Sequence, residues 1–351
     1  MSSINKEDSR RSIKCVVWDL DNTLWEGVLL EDAKVALIKE AAEAVLTLDN
    51  RGILQSIASK NEYDLVIEKL QEFDLQKYFL YPQINWNSKA SSIEVIANQL
   101  NIGLDSIAFI DDDPAELAEV QFSHSDITCL PAHRIAHLLS LPATNPRYVT
   151  QDAKMRRQMY INDQERHQAE AQFVGPKEAF LASLNLKLTI GPPQDGDLLR
   201  AEELTLRTNQ LNTTGLTFSY DELEALRRSD RHKLFMAELE DKFGRYGKIG
   251  LALIECSEEV WSIKLLLMSC RVMNRGVGPI LINFIRSLAR EKRARLIAEF
   301  MPTGRNRMML MTYKFNGFSD HHKVDNLLIL ESDRESAITF PPYVKVTVSP
   351  L

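Results

Sequence analysis

One short apolar segment near the start of the chain constrains the fold more than any other feature. Cys15 to Trp18 is a continuous apolar run, typical of a strand buried on both faces, and it ends abruptly in Asp19, Asp21 and Thr23. Two acids separated by one residue at the carboxyl end of such a strand point the same way. They can therefore share a divalent cation and divide the roles of nucleophile and acid/base. A solvated strand-to-loop corner is the alternative, and it is the usual interpretation of an isolated Asp-x-Asp.

Two later apolar segments predict strands that end in the same way. The segment 53–58 ends at Ser59, and the segment 106–110 runs into Asp111. Apolar residues at helical spacing lie between the predicted strands, at about 40–50, 62–73 and 91–100. Strands that alternate with helices predict a doubly wound parallel sheet, in which sites form at the carboxyl ends of the strands. We therefore expect an α/β fold in which the polar residues after all three strands share one edge.

The order of these motifs resembles the haloacid dehalogenase superfamily of phosphotransferases. An Asp-x-Asp-x-Thr motif follows the first strand, Ser59 ends the second, Lys89 precedes a helix, and an acidic motif follows the third strand. The resemblance implies that Asp19 is the nucleophile, and that Asp21 protonates the leaving oxygen and later activates water. It also implies that Ser59 donates a hydrogen bond to the transferring phosphoryl group and that Lys89 offsets its developing charge. Taken singly, Ser59 would be interpreted as a helix cap and Lys89 as a solvated charge.

The same resemblance implies a magnesium cofactor and a site without a lid. The expected metal ligands are Asp19, Asp21, Asp111 and Asp112, and the expected phosphate-binding or substrate-binding residues are Thr23 and Asn61. The stretches between the motifs are too short for a separate lid domain once the helices of the sheet are counted. The site should therefore be open, which suits a phosphoryl group on a large carrier better than a small free metabolite.

Composition places the chain among ordinary globular proteins. Its 351 residues suffice for two domains, with 44% hydrophobic and 26% charged residues. The net charge of -7 argues against nucleic acid or an anionic membrane as a partner. The 4 cysteines stand far apart without a Cys-x-x-Cys motif, which argues against a zinc site and a disulfide framework. No signal peptide or membrane-spanning run is evident, so we expect a cytoplasmic protein.

A change in composition marks the end of the first domain. Two prolines lie in 141–146, and the segment 152–172, rich in Arg, Gln, Glu and Ala, predicts a mostly exposed connecting helix. We expect a polar N-terminal tail over 1–12, a phosphatase domain over 13–140, a linker with this helix over 141–175, and a second domain over 176–351. Predicted strands indicate that the second domain is mixed α/β, and they lie at 186–190, 248–255, 260–272, 294–300, 326–330 and 344–348.

A glycine-rich turn in the second domain suggests an anion site. Arg275, Gly276 and Gly278 follow a predicted strand and open an apolar helix, whose free N–H groups and positive dipole end suit a pyrophosphate or a developing oxyanion. This turn resembles the acyl-CoA-binding core of GNAT-type N-acetyltransferases. Further residues that share the resemblance are Asn306, Tyr313 and Asn316-Gly317-Phe318. Met273 stands where that signature usually has Gln or Arg, which weakens the expectation of ordinary CoA binding.

Taken together, the motifs of the chain resemble one family, the FkbH-like glyceryl transferase/phosphatases. Those of the first domain are Trp-Asp-Leu-Asp-Asn-Thr-Leu-Trp, Ser-Lys-Asn and Ile-Asp-Asp-Asp-Pro, and those of the second begin at Thr208, Asp241 and Ser269. The resemblance covers about 13–318 and implies a capless phosphatase domain joined to a GNAT-like acyltransferase domain. It implies that the three-carbon unit of 1,3-bisphosphoglycerate is captured, dephosphorylated and delivered as a glyceryl thioester to an acyl carrier protein for polyketide assembly.

Acyl capture of this kind needs a thiol, and Cys270 is the candidate. It ends a predicted strand beside Arg271 and Arg275, and a cationic, partly open setting at a helix N-terminus favours the thiolate. Structural packing is the alternative for Cys270, and it is the expectation for Cys15 inside the first strand. The other expected substrate-binding residues of this domain are Asn209, Asn212, Arg271, Arg275 and Gly276.

The paired histidines, the cations of one predicted helix and the chain as a whole each have an alternative interpretation. His321 and His322 would serve as a base, although paired histidines after a Gly-Phe turn usually belong to a solvated loop. The cations between Arg286 and Arg295 form either a solvated face or a docking surface for an acidic carrier protein. For the whole chain, the alternatives are a magnesium-dependent phosphatase fused to an acetyl-CoA-dependent acyltransferase, or a non-catalytic assembly factor.

Overall fold

Two compact units make up the chain. The computed structural model describes residues 12–208 and 210–350, and the division between the units falls between Ile161 and Asn162. Positions 1–11 of the expected tail and Asn209 lie outside the described residues. The division lies inside the expected linker of 141–175, within the helix Arg156–Gln172. No helix in the described ranges combines the length and the apolar character that crossing a membrane requires.

The first unit alternates strands and helices. Its strands are β1 (Cys15–Trp18), β2 (Trp25–Glu26), β3 (Ala36–Leu37), β4 (Leu54–Ser59), β5 (Gln83–Ile84), β6 (Ile107–Asp111) and β7 (Thr128–Pro131). Its helices are α1 (Lys39–Asn50), α2 (Tyr63–Glu72), α3 (Lys89–Leu100), α4 (Pro114–Ser123), α5 (Ile135–Ser140) and α6 (Gln151–Lys154). A parallel sheet has the order β5-β4-β1-β6-β7, and β2 pairs with β3 separately. The predicted doubly wound fold is confirmed.

The strand β1 lies in the middle of this sheet, and burial on both faces explains its continuous apolar run. Val16 and Trp18 pack with residues of α1 and α2, and Cys15 and Val17 pack on the other face with residues of α3. All of these side chains are fully buried. Because helices cover both faces of a parallel sheet, its polar residues gather at the ends of the strands.

The second unit contains a larger, mixed sheet. Its strands are β8 (Leu186–Gly191), β9 (His232–Asp241), β10 (Gly244–Cys256), β11 (Val260–Met268), β12 (Arg295–Phe300), β13 (Phe318–Val324), β14 (Leu327–Ser332) and β15 (Val344–Val348). The remaining helices are α7 (Arg156–Gln172), which spans the division, α8 (Lys177–Ser183), α9 (Leu198–Arg207), α10 (Tyr220–Arg227), α11 (Val277–Glu291) and α12 (Arg307–Phe315). The order is β13-β14-β12-β11-β10-β9-β8-β15, with parallel pairs at β11–β12 and β8–β15. The predicted mixed α/β domain is confirmed.

The sequence pattern did not predict the strands β9 and β13. In β9 the buried stretch is short and is bounded by charged residues such as Lys233 and Glu240. In β13, which lies at the edge of the sheet, every side chain after Phe318 is exposed. An edge strand needs no apolar face, so hydrophobic alternation cannot mark it.

Helix α7 is not the mostly exposed helix that its composition predicts. Arg166 is fully buried and donates to both carboxylate oxygens of Asp241, at 2.7 and 3.0 Å. Its guanidinium lies 3.8 Å from the centre of the Tyr246 ring, and the Tyr246 hydroxyl donates to Asp241 at 3.1 Å. The residue that packs inward is itself charged, so apolar periodicity could not find the buried face of this helix.

The cationic helix predicted around 286–295 is only partly solvated. Arg286 of α11 is 2% exposed, and its guanidinium donates to the carbonyl groups of Asp333 and Ser336 at 3.1 and 3.0 Å. Arg290 donates to the same Ser336 carbonyl. These two side chains hold the segment that follows β14. The exposed cations are Lys292, Arg293 and Arg295.

Candidate active site

Strand register brings two acidic residues of the first unit together. β1 lies between β4 and β6, and Trp18 stands opposite Ile57 on one side and Ile110 on the other. Asp19 and Asp111 come directly after Trp18 and Ile110, so they are neighbours at the carboxyl edge. The Asp19 N–H donates to the Ile110 carbonyl at 2.9 Å, which continues the ladder to this point. The expected shared edge follows from these pairings.

Lys89 joins the two carboxylates. It is the first residue of α3, whose N-terminus is capped by the Ser88 side chain, and only 6% of Lys89 is exposed. Its ammonium nitrogen lies 2.9 Å from Asp19 Oδ1 and 2.5 Å from Asp111 Oδ2. Lys89 is therefore not a solvated charge. A buried ammonium group is tolerated only where it is paired in this way.

Burial perturbs the protonation of all three groups. It raises the pKa of Asp19 to about 7, although Lys89 acts to lower it, and the charge of Asp111 adds to the rise. Burial also raises the pKa of Asp111. Burial acts to lower the pKa of Lys89, but the two carboxylates outweigh it and the net shift is upward. Lys89 is therefore charged at neutral pH, and Asp19 is present in both its protonated and its ionised form. A pKa perturbed in this way is typical of catalytic groups.

Asp19, Asp111 and Asp112 have the geometry of a metal site. One carboxylate oxygen from each lies within 4.8 Å of the others, and no second group of acidic, histidine or cysteine side chains does so within the described residues. Carboxylate oxygens are ligands that Mg²⁺ prefers, so the donor set fits magnesium. The fourth expected ligand, Asp21, is not part of this group. Its carboxylate is held by other residues.

Three hydrogen bonds fix the Asp21 carboxylate. Its Oδ1 accepts the indole N–H of Trp25 at 2.7 Å and the backbone N–H of Leu29 at 3.0 Å. Its Oδ2 accepts the side-chain amide of Asn61 at 3.0 Å. Asn61 is 2% exposed, so the structure places it beside Asp21 rather than in open solution. Trp25 is the last residue of the motif Trp-Asp-Leu-Asp-Asn-Thr-Leu-Trp, but the sequence assigned it no role, because a tryptophan after an acidic motif looks like a core residue.

Ser59 and Thr23 are buried at the same edge. Ser59 is 4% exposed and Thr23 is fully buried. Among the described residues the Thr23 hydroxyl has no hydrogen-bond partner, although it is enclosed. A buried hydroxyl without a partner costs free energy and needs an explanation such as an absent ligand. The roles expected of both residues in phosphoryl transfer stay predictions.

An ion pair joins the segments that follow the two strands flanking β1. Lys60 follows Ser59 at the end of β4 and contacts Glu116 of α4 at 2.6 Å. Since β4 and β6 flank β1, this pair connects the segments that border the strand bearing Asp19. The described residues between the motifs form helices of the sheet and the short pair β2–β3, with no separate lid domain.

In the second unit, the glycine turn is present but covered by the chain. Gly276 has a φ of 79°, which glycine adopts without strain, and α11 begins at Val277. A Cβ atom at Gly276 would lie 2.8 Å from the hydroxyl of Tyr343. Arg275 is 4% exposed and contacts Glu170 at 3.1 Å. Anion binding by Arg275 and Gly276 stays a prediction, and the structure gives both residues partners within this unit.

Cys270 is half-buried at the start of a short 3-10 turn, Cys270–Val272, and Arg271 beside it is also half-buried. Its sulfur lies 4.0 Å from Gln210 Oε1. The strand predicted over 260–272 ends at Met268, so the prediction that Cys270 ends a strand is wrong, and the thiol belongs to the turn before α11. The remaining cysteines have pKa values raised by burial, to about 11 for Cys129 and Cys256 and further for Cys15. Acyl capture by Cys270 stays a prediction.

The segment 211–215 lies against β11 where that strand separates from β12. The two strands pair only over Val260–Ile263 and Arg295–Ala298. Beyond that point the Met268 N–H donates to the Leu211 carbonyl at 2.9 Å, and the Thr213 N–H donates to the Leu266 carbonyl at 3.1 Å. The segment 211–215 thus forms hydrogen bonds with backbone groups of β11 that would otherwise lack a partner where β12 separates.

Asn212 lies within this segment and is 1% exposed. Its side-chain oxygen accepts the N–H groups of Thr214 and Gly215 at 3.1 and 2.9 Å, and its carbonyl accepts the Asn306 amide at 2.9 Å. These contacts give Asn212 a structural place, and substrate binding by Asn212 stays a prediction. His321 and His322 lie on the exposed edge strand β13, with ring centres 4.7 Å apart. The role of either histidine as a base stays a prediction.

Comparisons with known proteins find a relative for part of the chain. No protein-family model matches the chain. Among curated proteins, the chain is similar to Magnesium-dependent phosphatase 1 of Homo sapiens, with 26% identity over 136 residues that cover 33% of this chain and 76% of the relative. The chain therefore has a phosphatase homologue that matches about a third of its length.

Two solved structures each resemble part of the chain. The N-terminal part of the protein BF1531 from Bacteroides fragilis, which contains a phosphatase domain complexed with Mg, has 32% identity and a TM-score of 0.33, over 38% of this chain and 40% of that chain. The ribosomal-protein-S18-alanine N-acetyltransferase from Escherichia coli has 16% identity and a TM-score of 0.34, over 43% of this chain and 96% of that chain. The chain thus spans well under half of the BF1531 chain that it matches.

Proposed function

We propose that the first unit is a magnesium-dependent phosphatase whose nucleophile is Asp19. The observation that carries this proposal is the buried cluster at the end of β1, in which Lys89 contacts both Asp19 and Asp111. Sequence similarity to Magnesium-dependent phosphatase 1 supports the same assignment. Held by Asp19, Asp111 and Asp112, a magnesium ion would supply positive charge beside the transferring phosphoryl group.

The proposed reaction has two steps at this cluster. In the first, a carboxylate oxygen of Asp19 attacks phosphorus, the bond to the leaving oxygen breaks, and Asp21 gives that oxygen its proton. In the second, Asp21 takes a proton from water as the water oxygen attacks the aspartyl-phosphate. Inorganic phosphate then leaves and Asp19 is regenerated. Lys89 offsets the negative charge on the phosphoryl group and Ser59 donates a hydrogen bond to it.

Replacement of the nucleophile tests this assignment. Asp19→Asn keeps the shape of the side chain and removes the attacking oxygen. The wild-type protein with Mg²⁺ should release phosphate from p-nitrophenyl phosphate, and both EDTA and Asp19→Asn should reduce the release to background. Phosphate release that survives in Asp19→Asn would rule out Asp19 as the nucleophile.

We further propose that the whole protein couples this phosphatase to acyl transfer in the cytoplasm. On this proposal the Cys270 thiolate attacks the acyl phosphate of 1,3-bisphosphoglycerate, phosphate leaves, and a thioester forms. Asp19 then removes the remaining phosphate, and the glyceryl group passes to an acyl carrier protein for polyketide biosynthesis. The motif resemblance of the chain, the absence of a lid domain among the described residues and the half-buried Cys270 support this assignment.

Intact-mass analysis separates this proposal from its alternatives. Incubation with 1,3-bisphosphoglycerate should add a three-carbon acyl group to the protein, and the group should move to a phosphopantetheinylated carrier protein. A phosphatase fused to an ordinary acetyltransferase would instead consume acetyl-CoA and leave the carrier unmodified. A non-catalytic assembly factor would do neither and would tolerate loss of Asp19.

A further inference from the structure

We propose that Trp25 is a positioning residue for Asp21, and that it makes Oδ2 the oxygen of Asp21 that carries the transferred proton. The inference rests on the proposed phosphatase function and adds a residue that the acidic motif does not contain. The indole N–H of Trp25 donates to Asp21 Oδ1 at 2.7 Å. It is the shortest of the hydrogen bonds to this carboxylate, beside those from Leu29 and Asn61 at 3.0 Å.

The two oxygens of Asp21 are not equivalent. A carboxylate oxygen has about two lone-pair directions for hydrogen bonds. Oδ1 accepts from Trp25 and from the Leu29 backbone, so both of its directions are used. Among the residues that the structure describes, Oδ2 accepts only from Asn61, so one direction remains for a proton or for the leaving group. The acid/base step is thereby assigned to Oδ2.

Trp25 can hold this oxygen because its own position is fixed. The side chain is fully buried, and its ring centre lies 6.2 Å from that of Phe73. Trp25 begins β2, which pairs with β3 through Leu37. The loop between Asp21 and Leu29 is closed by a hydrogen bond from the Asn22 N–H to the Gly27 carbonyl at 3.3 Å. A donor that cannot move restricts rotation of the carboxylate that it contacts.

The proton balance predicts which substrates depend on Trp25. As the Asp19 oxygen bonds to phosphorus, the bond to the leaving oxygen breaks, and that oxygen takes the proton from Asp21 Oδ2. An alkoxide is a poor leaving group and needs this proton in the transition state. A p-nitrophenolate is stable without it. A misdirected Asp21 should therefore slow the first step with alkyl phosphates far more than with p-nitrophenyl phosphate.

The experiment compares kcat/KM for propyl phosphate and p-nitrophenyl phosphate, since this ratio reports the steps up to transfer onto Asp19. Trp25→Phe should lower kcat/KM for propyl phosphate by about tenfold to a hundredfold and that for p-nitrophenyl phosphate by less than about threefold. Should Trp25→Phe fail to fold, β-(3-benzothienyl)alanine at position 25 decides the matter. This residue keeps the shape of tryptophan and lacks the N–H.

The chain offers a matched control. Trp18 is also fully buried and donates its indole N–H to the Gln55 side chain at 2.6 Å. Trp18→Phe should lower stability comparably but change both kcat/KM values by the same factor. An equal effect of Trp25→Phe on the two substrates would overturn the inference and make Trp25 a packing residue. If the wild-type protein hydrolyses neither substrate with Mg²⁺, the phosphatase assignment itself fails, and the two failures are thereby distinguished.

Discussion

At the scale of single residues, the candidate site depends on one buried cation between two buried acids. Lys89 contacts Asp19 and Asp111, and its side chain is 7% exposed. One ammonium group cannot compensate two buried carboxylates fully, and burial therefore raises the pKa of Asp19 to about 7. An added divalent cation would complete the balance of charge. The fold thus holds a site that is electrostatically incomplete without one.

The raised pKa makes stability of the metal-free protein depend on pH. The pKa of Asp19 rises from its ordinary 3.8 to about 7 in the folded chain, so the folded state binds the proton more tightly. The stability contributed by this proton is complete below the unfolded pKa and is lost as pH rises through the folded one. Asp19→Asn has no such loss. In EDTA, the melting temperature of Asp19→Asn minus that of the wild type should increase between about pH 5 and about pH 8. A difference in melting temperature that does not change with pH would contradict the raised pKa.

Removal of Lys89 should leave two buried carboxylates without a cation between them. Lys89→Met should therefore lower the free energy of unfolding by about 3 to 5 kcal/mol in EDTA, as measured by urea denaturation. Added Mg²⁺ should restore part of the loss. The matched control is Lys60→Met, whose side chain is 37% exposed in its pair with Glu116 and whose loss should cost about 1 kcal/mol or less. Equal losses in the two variants would show that the Lys89 cluster contributes no more than a surface pair.

At the scale of elements, a buried ion pair fixes the end of α7 to the turn between β9 and β10. Arg166 is fully buried and contacts Asp241 through two hydrogen bonds. Arg166→Met should destabilise the second unit by about 3 to 5 kcal/mol, because Asp241 would keep its buried charge without a cation beside it. Lys187→Met removes an exposed pair with Glu240 in the same sheet and should cost about 1 kcal/mol or less. Differential scanning calorimetry of both variants checks the contrast, and a loss near zero for Arg166→Met would refute it.

Strand ends were predictable from the sequence, and contacts made across the fold were not. The run from Cys15 to Trp18 predicted a strand buried on both faces, and parallel pairing then required that Asp19 and Asp111 meet. No local pattern shows that Trp25 turns back to Asp21. Nor does any pattern show that Arg166 faces inward, since burial of a charge depends on a partner far away in sequence. Hydrophobic periodicity shows which face of a helix or strand is buried. Hydrogen bonds between side chains that are distant in sequence leave no periodic signal.

At the scale of the whole molecule, the chain consists of two compact units with separate sheets. The proposed phosphatase residues all belong to the first unit, and Cys270 belongs to the second. Each unit has its own hydrophobic core, so a substitution in one need not disturb the other. The two proposed chemistries should therefore be separable by mutation.

Cys270→Ala and Cys270→Ser should make this separation, because a serine hydroxyl is not activated as a thiolate is. Both variants should lose the acyl adduct and carrier loading, and both should hydrolyse p-nitrophenyl phosphate at a near-native rate. Cys15→Ala provides the converse control, since this side chain is fully buried in β1. It should lower stability by about 1 to 3 kcal/mol without a specific effect on acyl capture. A thioester mapped to another cysteine would leave Cys270 as a packing residue.

The central claim is that Asp19 carries the phosphoryl group, and peptide mapping of the acid-quenched protein tests it most directly. During turnover with Mg²⁺, the peptide that contains Asp19 should gain one phosphoryl group, and fragmentation should place it on the Asp19 side chain. The same peptide from Asp19→Asn should remain unmodified under identical conditions. Phosphoryl label on any other residue, or turnover of Asp19→Asn at the wild-type rate, would contradict the account.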